Sequence, residues 1–345
     1  MRSRISTIII PIVAGAITLA FLLRPPGRYI LPEKSGIRIA TYNIAFLTEH
    51  ESPERIANLR SVIRAVNADV WGLQEIESKR AAQQVFGDEY EIGIVDDRGE
   101  SQDLAIAVKK PAKLQSYNLL FTDSGLNEWF PNKRDVLRAT VLLGGRELVF
   151  YVVHYKSRSG GRLETESRRI GASRILLDYL RVNPNEQRVI LGDFNDTPDD
   201  ASINILESGD GRAVGRMTDN PGSWIYNASQ SLWNDNQCSL EVFLNYRGRW
   251  VSPKTRGARK ENDRLRGVHY RYPDDVSIPQ ILFDQILVSP SLHVTRSFIY
   301  SDVDAVRGLK SDVVRDPNGH AVVRSRGGLA SDHLPVFADV AFGSR

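Results

Sequence analysis

The feature that most limits the folds open to this chain is a series of short apolar runs, each stopping on or beside an acid, an amide or a histidine. Ile37 to Thr41 alternates apolar and polar residues, reads as a strand, and delivers Asn43 to its end. Asp69 to Gln74 suits a buried strand with Glu75 at its end, and Leu148 to His154 ends on its histidine. Val189 to Gly192 stops at Asp193, with Asn195 just beyond. Ile281 to Val288 contains Asp284, and Asp332-His333 stands ahead of a run from Val336 to Phe342. If those ends converge, a sheet-based domain gathers the polar residues in one cleft.

Tyr90 to Val95, Leu104 to Val108 and Leu137 to Leu143 read as further strands, with Gly144-Gly145 as the hairpin turn into Leu148 to His154, and His293 to Tyr300 as another. Ser52-Pro53 has the form of an N-cap followed by proline at the first helical position, and Ile56, Leu59, Ile63 and Val66 follow at helical spacing. Leu163 to Val182 predicts a second helix with Ile170, Ile175, Leu176, Tyr179 and Leu180 on one face. Strands outnumber helices, and the absence of any internal repeat argues against solenoids. The stretch from Asp210 to Gln280, rich in Gly, Asn, Ser and Arg, predicts loops or an insertion.

The polar ends have a chemical logic. Hard divalent cations such as Mg²⁺ prefer carboxylate and amide oxygens and keep several waters. A neutral histidine can take a proton from water near pH 7, and an aspartate on its other ring nitrogen fixes the tautomer. Each element alone also has a local explanation. Asp193-Phe-Asn195-Asp-Thr-Pro198 is made of turn formers, Asp332-His333-Leu-Pro335 can cap a strand, and His154 in an apolar run can be a satisfied core residue.

In their order along the chain, six segments resemble those of the endonuclease/exonuclease/phosphatase superfamily, which includes deoxyribonuclease I, exonuclease III, sphingomyelinases and inositol polyphosphate 5-phosphatases. They are Ile39-Ala-Thr-Tyr-Asn43, Leu73-Gln-Glu75, Val153-His-Tyr-Lys-Ser157, Leu191-Gly-Asp-Phe-Asn195, Phe283-Asp-Gln-Ile-Leu-Val-Ser289 and Ser331-Asp-His333. The resemblance implies an α/β (α+β) fold, a four-layered sandwich of two mainly antiparallel sheets packed face to face with helices outside. It implies Glu75 as the principal Mg²⁺ ligand, with Asn43 and Asp332 nearby in the metal and phosphate shell, and Mn²⁺ or Ca²⁺ as substitutes. Asp284 would orient His333. In one family view His333 activates the attacking water while Asp193 and Asn195 position water and phosphate; in another Asp193 abstracts the proton. His154 matches a second histidine of the deoxyribonuclease-like and phosphatase-like branches, which bears on the phosphate or leaving group and argues against a close exonuclease III relative. Arg134, in Asn132-Lys-Arg-Asp135, falls near a phosphate-contacting arginine of the family, and Lys156 and Ser157 are further candidates to touch phosphate.

Net charge is only +3, so attraction to a polyanion must come from local clustering. Tyr246 to Tyr272 supplies such a cluster: nine Lys and Arg, among them Arg247, Arg249, Lys254 and Arg256, lie between Tyr246, Trp250 and Tyr270. The strip suits a nucleic-acid backbone, anionic lipid headgroups, or a solvated loop. The expected partner is a nucleic-acid substrate; the alternatives are a lipid or inositol-phosphate substrate and a non-catalytic binding module. No protein partner is predicted. Cys238 is the single cysteine, which excludes an internal disulfide and a thiolate metal cage.

At the N-terminus, Arg2 and Arg4 precede an apolar stretch from Ile8 to Leu23 that extends back to Ile5. Its length approaches the roughly 20 residues that span a bilayer. Residues 1–24 are therefore expected to be a signal anchor, 25–35 a linker that starts at Pro25-Pro26-Gly27, and 36–345 the domain. The expected location is at a membrane, with the catalytic domain extracytoplasmic or secreted.

Overall fold

Ile37 to Leu47 is one strand of eleven residues, longer than the alternation alone suggests, because the neighbouring strand Val70–Ile76 goes on pairing with it at Tyr42, Asn43 and Leu47 after its other neighbour, Val336–Phe342, has stopped at Thr41. The computed structural model of the chain describes residues 31–96, 102–130, 134–158, 162–215, 224–235, 237, 239–241, 280–300, 312–315, 321–325 and 330–343. The segment 1–24, Cys238 and the basic strip Tyr246 to Tyr272 lie outside them. Among the described residues no helix is long and apolar enough to cross a membrane.

In chain order the elements are β1 (Ile37–Leu47), α1 (Pro53–Val66), β2 (Val70–Ile76), α2 (Lys79–Phe86), β3 (Tyr90–Ile94), β4 (Asp103–Lys109), β5 (Lys113–Leu120), β6 (Val136–Leu143) and β7 (Arg146–His154). They continue with α3 (Arg162–Arg181), β8 (Arg188–Asp193), α4 (Ala201–Ser208), β9 (Tyr226–Asn227), α5 (Gln230–Asn234), β10 (Leu240–Glu241) and β11 (Gln280–Ile281). The last are β12 (Asp284–Val288), β13 (Leu292–Ile299), β14 (Asp312–Arg315), β15 (Ala321–Ser325) and β16 (Val336–Phe342). One six-stranded sheet runs β13-β16-β1-β2-β4-β3, and a second runs β5-β6-β7-β8-β12-β9. Each contains a single parallel pair, β1 with β2 and β7 with β8, and every other pairing is antiparallel. A parallel pair needs a crossover, and α1 and α3 supply it. The fold is a four-layered α/β sandwich with mainly antiparallel sheets.

Alternation along the strands decides what faces the cleft. Val149, Tyr151 and Val153 of β7 and Ile190 of β8 pack with Leu176, Leu177 and Leu180 of α3 and Ile203 and Leu206 of α4. His154, Leu191 and Asp193 therefore turn the other way, towards the first sheet. Gly72 of β2 makes room for Leu191: a Cβ there would lie 2.8 Å from the Leu191 side chain. On the first sheet, Trp71 of β2 packs edge-on to Phe86 of α2 and beside Tyr42 of β1, marking the helix side.

The helix starts follow from local chemistry. Ser52 caps α1 by accepting from the Arg55 N–H at 3.1 Å, and Ser78 caps α2 by accepting from the Ala81 N–H at 3.1 Å. Arg38 of β1 grips Asp339 of β16 through two nitrogens at 2.7 and 3.0 Å and donates to the Val66 carbonyl at 3.0 Å, a buried tie between strands and crossover helix.

Three expectations change. Ile281 to Val288 is divided into β11 and β12, because the Ser239 hydroxyl takes the Phe283 and Asp284 N–H groups, each at 3.1 Å, that a continuous ladder would use. Tyr90 to Val95 ends one residue early, at Ile94. Strands β5, β9, β10, β14 and β15 and helices α2, α4 and α5 were not anticipated, three of them within the stretch from Asp210 to Gln280 expected to be loops; β5 is an edge strand with mostly exposed side chains, so its sequence carries no alternation.

Candidate active site

Register carries the polar strand ends into one place. Asp193 lies opposite both His154 of β7 and Asp284 of β12, so three adjacent strands present these groups side by side on the cleft face. Gly192, at φ 149 with the Val153 carbonyl 2.0 Å from where a Cβ would sit, allows this close approach of β7 and β8 just before the aspartate. In the first sheet Asn43 lies opposite Gln74, and strict alternation would turn the next residue, Glu75, to the helix side. Glu75 instead adopts φ 63, which breaks the alternation, and its Oε1 accepts from Asn43 Nδ2 at 3.2 Å. A left-handed glutamate costs of order 1–3 kcal/mol, the kind of strain that persists where surrounding contacts over-determine it.

Asn43 joins the sheets. Its Nδ2 also donates to Asp193 Oδ2 at 3.2 Å, while its Oδ1 accepts from the Ala45 N–H at 2.9 Å. In this arrangement it orients two carboxylates, and its own oxygen is occupied. Ser331 donates to the Asn43 carbonyl at 2.6 Å and accepts from the His333 N–H at 3.1 Å, which docks the last segment on β1.

His333 Nδ1 lies 2.8 Å from Asp284 Oδ2, an oxygen that also accepts from the Ser239 hydroxyl at 2.6 Å. The ring's other nitrogen, Nε2, faces Asp193 Oδ2 at 3.8 Å. Burial opposes charge on this ring, but Asp284, Asp193 and Asp332 together outweigh it and hold His333 well above the ordinary histidine range. Burial, partly offset by His333, pushes Asp193 up to about 7. Asn195, at φ 50, donates its N–H to Asp193 Oδ1 at 2.8 Å and its amide to the Tyr155 carbonyl at 3.2 Å.

His154 is nearly enclosed, with Nε2 3.5 Å from Asp193 Oδ2 and 3.8 Å from Glu75 Oε1. Arg134 NH1 approaches the same Nε2 at 3.2 Å, and burial followed by the Arg134 and His333 charges holds the ring well below its usual pKa. A neutral ring accepting from Arg134 is the consistent state. Arg134 is braced by Gln102, whose Oε1 accepts from its Nε at 2.9 Å. Burial and then Asp332 raise the Glu75 carboxyl. Asp332 is exposed, while Lys156 and Ser157 sit at the rim, joined by a 3.3 Å bond from Lys156 Nζ to Ser157 Oγ.

The structure thus brings Asn43, Glu75, His154, Asp193, Asn195, Asp284 and His333 together, with Arg134 against His154 and Asp332 within electrostatic reach of Glu75 and His333. Among the described residues no three His, Cys, Asp or Glu side chains are arranged to hold a metal alone. Glu75 and Asp332 still suit a hard cation that keeps waters, since Mg²⁺ is usually bound by one or two carboxylates plus water and phosphate oxygens.

Besides Gln102, four supporting groups were not read from the sequence: Ser239, Arg55, Arg158 and Arg169. Arg55 donates through NH2 to the Ile44, Ala45 and Ala330 carbonyls at 2.5, 3.0 and 3.2 Å. Arg158 holds the Asn195 carbonyl at 2.7 Å and pairs with Asp196 and Asp200 at 2.9 and 2.8 Å. Arg169 reaches the same Asp196 oxygen at 2.8 Å and the Lys156 carbonyl at 3.2 Å. Asp196 sits in the run of turn formers from Asp193 to Pro198, the one sequence signal that pointed here, and Asp200 lies two residues beyond it.

The profile of the Endonuclease/Exonuclease/phosphatase family matches residues 40–333. Among solved structures the chain is similar to D. rerio TDP2 complexed with single strand DNA product, at 15% identity, covering 88% of this chain and 98% of that one with a TM-score of 0.54. It is similar to a mannosyl-6-phosphatase from Bacteroides thetaiotaomicron at 14% identity, covering 89% and 100%, TM-score 0.56. An endonuclease/exonuclease/phosphatase family protein from the same bacterium shares 13% identity, covering 91% and 100%, TM-score 0.58. No curated protein matches the chain.

Proposed function

Because the chain belongs to the endonuclease/exonuclease/phosphatase family, a family of phosphoester hydrolases, we propose that it is a divalent-metal-dependent nuclease cleaving phosphodiester bonds of nucleic acid. The observation that carries this reading is the facing of His333 Nε2 and Asp193 Oδ2 across 3.8 Å, beside a Glu75 that Asn43 holds at 3.2 Å. Glu75 and Asp332 would hold the cation. A bound divalent ion, typically Mg²⁺ in this family, supplies Lewis-acid stabilisation of negative charge on phosphoryl oxygens.

The chain's own residues supply the proton handling. Asp193, pushed up to about 7, is suited to take a proton from a water positioned for in-line attack, and its Oδ1 is fixed by the Asn195 N–H. The water oxygen bonds to phosphorus as the bond to the leaving oxygen breaks. His333, held charged by Asp284, is suited to donate to a phosphoryl oxygen, which shifts the base role from His333 towards Asp193. His154 accepts from Arg134 and so aims that guanidinium at the cleft, where a fixed cation stabilises charge developing in the transition state. The apolar segment 1–24 would tether this domain at a membrane, with the site outside the cytoplasm.

The TDP2 likeness supports nucleic acid, and the mannosyl-6-phosphatase likeness supports a second reading, hydrolysis of a sugar phosphomonoester. The test is Mg²⁺-dependent hydrolysis by the full chain on plasmid, single-stranded DNA, RNA, sphingomyelin and a sugar 6-phosphate, with His333→Ala as control. Strand cleavage abolished by the substitution is the expected result. Activity confined to the sugar phosphate or the lipid would overturn the nuclease reading.

A further inference from the structure

Among the described side chains between β7 and α3 and along the first half of α3, cations fall into two kinds. Arg158 and Arg169 are buried and neutralised, the first by Asp196 and Asp200 and the second by Asp196. Lys156 and Arg168 are half-exposed, and among the described residues neither has a carboxylate within ion-pair reach; the one side-chain bond of Lys156 goes to the neutral Ser157 hydroxyl. The two kinds are interlocked. Arg169 NH1 bonds the Lys156 carbonyl at 3.2 Å, so the turn of α3 that carries Arg168 is tied to the backbone of Lys156, two residues beyond His154.

The pattern is costly without a ligand. Burial lowers the Lys156 ammonium, and Arg134, Arg168 and Arg169 lower it further with no carboxylate opposing them. The described cations that serve the fold in this segment already have their acids, so Lys156 and Arg168 are left with an anion to meet. It lies beside, and not within, the group formed by His154, Asp193 and His333.

We propose that Lys156 and Arg168 form a subsite for the phosphate adjacent to the scissile one on a nucleic-acid strand, an inference that rests on the nuclease reading. Such a subsite favours a chain of successive phosphates over an ester carrying one. Each cation that meets a strand phosphate adds salt-dependent affinity, a slope of about −0.7 per contact for single strands.

The experiment uses the full chain and two readouts. In EDTA, anisotropy of a labelled single-stranded oligonucleotide is followed against salt; in Mg²⁺, kcat/KM on the strand is divided by kcat/KM on bis(p-nitrophenyl) phosphate, which has no flanking phosphate. Lys156→Gln and Arg168→Gln should each shrink the salt slope by about 0.7 and lower the strand-to-diester ratio about tenfold, and Lys156→Arg should restore both. An unchanged slope and ratio in a protein that cuts the strand would overturn the subsite and leave the nuclease reading standing. Equal losses on both substrates would also overturn it, by placing the residues at the scissile phosphate or in the fold. A wild-type chain that hydrolyses the diester but neither binds nor cuts the strand would sink the nuclease reading and the subsite with it.

Discussion

The end of β1 and the loop after β8 do the same job in the two halves of the sandwich, and they are held by opposite devices. At the end of β1, where Ala45 and Phe46 adopt φ 53 and 56, a single arginine of the crossover helix gathers carbonyls of Ile44, Ala45 and Ala330, with Glu51 at 2.5 Å matching its charge. After β8, Asp196 and Asp200 draw in two arginines, which in turn hold the carbonyls of Asn195 and Lys156. The first segment lies near a partly exposed glutamate, so backbone dipoles and one rim acid suffice. The second is buried throughout, and there a cation without a hydrogen-bonded carboxylate would be strongly destabilising. The comparison teaches that one site can rest on a mount tolerant of charge removal and another that is not.

The largest expected effect tests whether the halves form one catalytic unit. Glu75→Gln from the first sheet and Asp193→Asn from the second should each lower kcat by about 10²–10⁴-fold. Groups acting as a unit are non-additive, so the double variant should lose far less than the product; a fully multiplicative loss would mean that the two halves act independently. Next comes the second mount. Asp196→Asn strands Arg158 and Arg169, and urea denaturation should report a loss of about 3–5 kcal/mol. Arg55→Met removes charged-donor bonds from the first mount and should cost about 1.5–3 kcal/mol. A larger loss for Arg55→Met than for Asp196→Asn would reverse the comparison. Removing the cap of α2 with Ser78→Ala should cost about 1 kcal/mol by thermal denaturation.

The smallest effect is confined to acid. Burial alone would raise Asp339, but Arg38, the Ser35 N–H and Arg296 hold its carboxyl below the ordinary 3.8. A group depressed on folding stabilises above its unfolded value, and that contribution fades as pH falls through the folded one. Stability of the wild type should therefore drop more steeply below about pH 4 than that of Asp339→Asn, and parallel curves would remove Asp339 as the cause.

Much of the site could be read because strand alternation fixes which side chain points where. The phase of Leu148 to His154 puts the histidine opposite Val149, Tyr151 and Val153, and so on the cleft side. The strand β5 could not be read, because an exposed edge has no inner face to impose a pattern. The break before β12 was hidden for another reason: the hydroxyl that causes it belongs to Ser239, 45 residues from Asp284 in sequence.

The sequence by itself determined most of the core strands, the crossover helices and the polar residue at each strand end, because period and capping are local properties of the chain. Only the tertiary structure decided that Asp193 stands between His154 and Asp284, that Glu75 breaks alternation to meet Asn43, and that Arg169 meets Asp196 while Arg168 has no ion-pair partner among the described residues. Those outcomes depend on register and on contacts between residues far apart in the chain, and a charge acquires its role only when packing fixes what lies within reach of it.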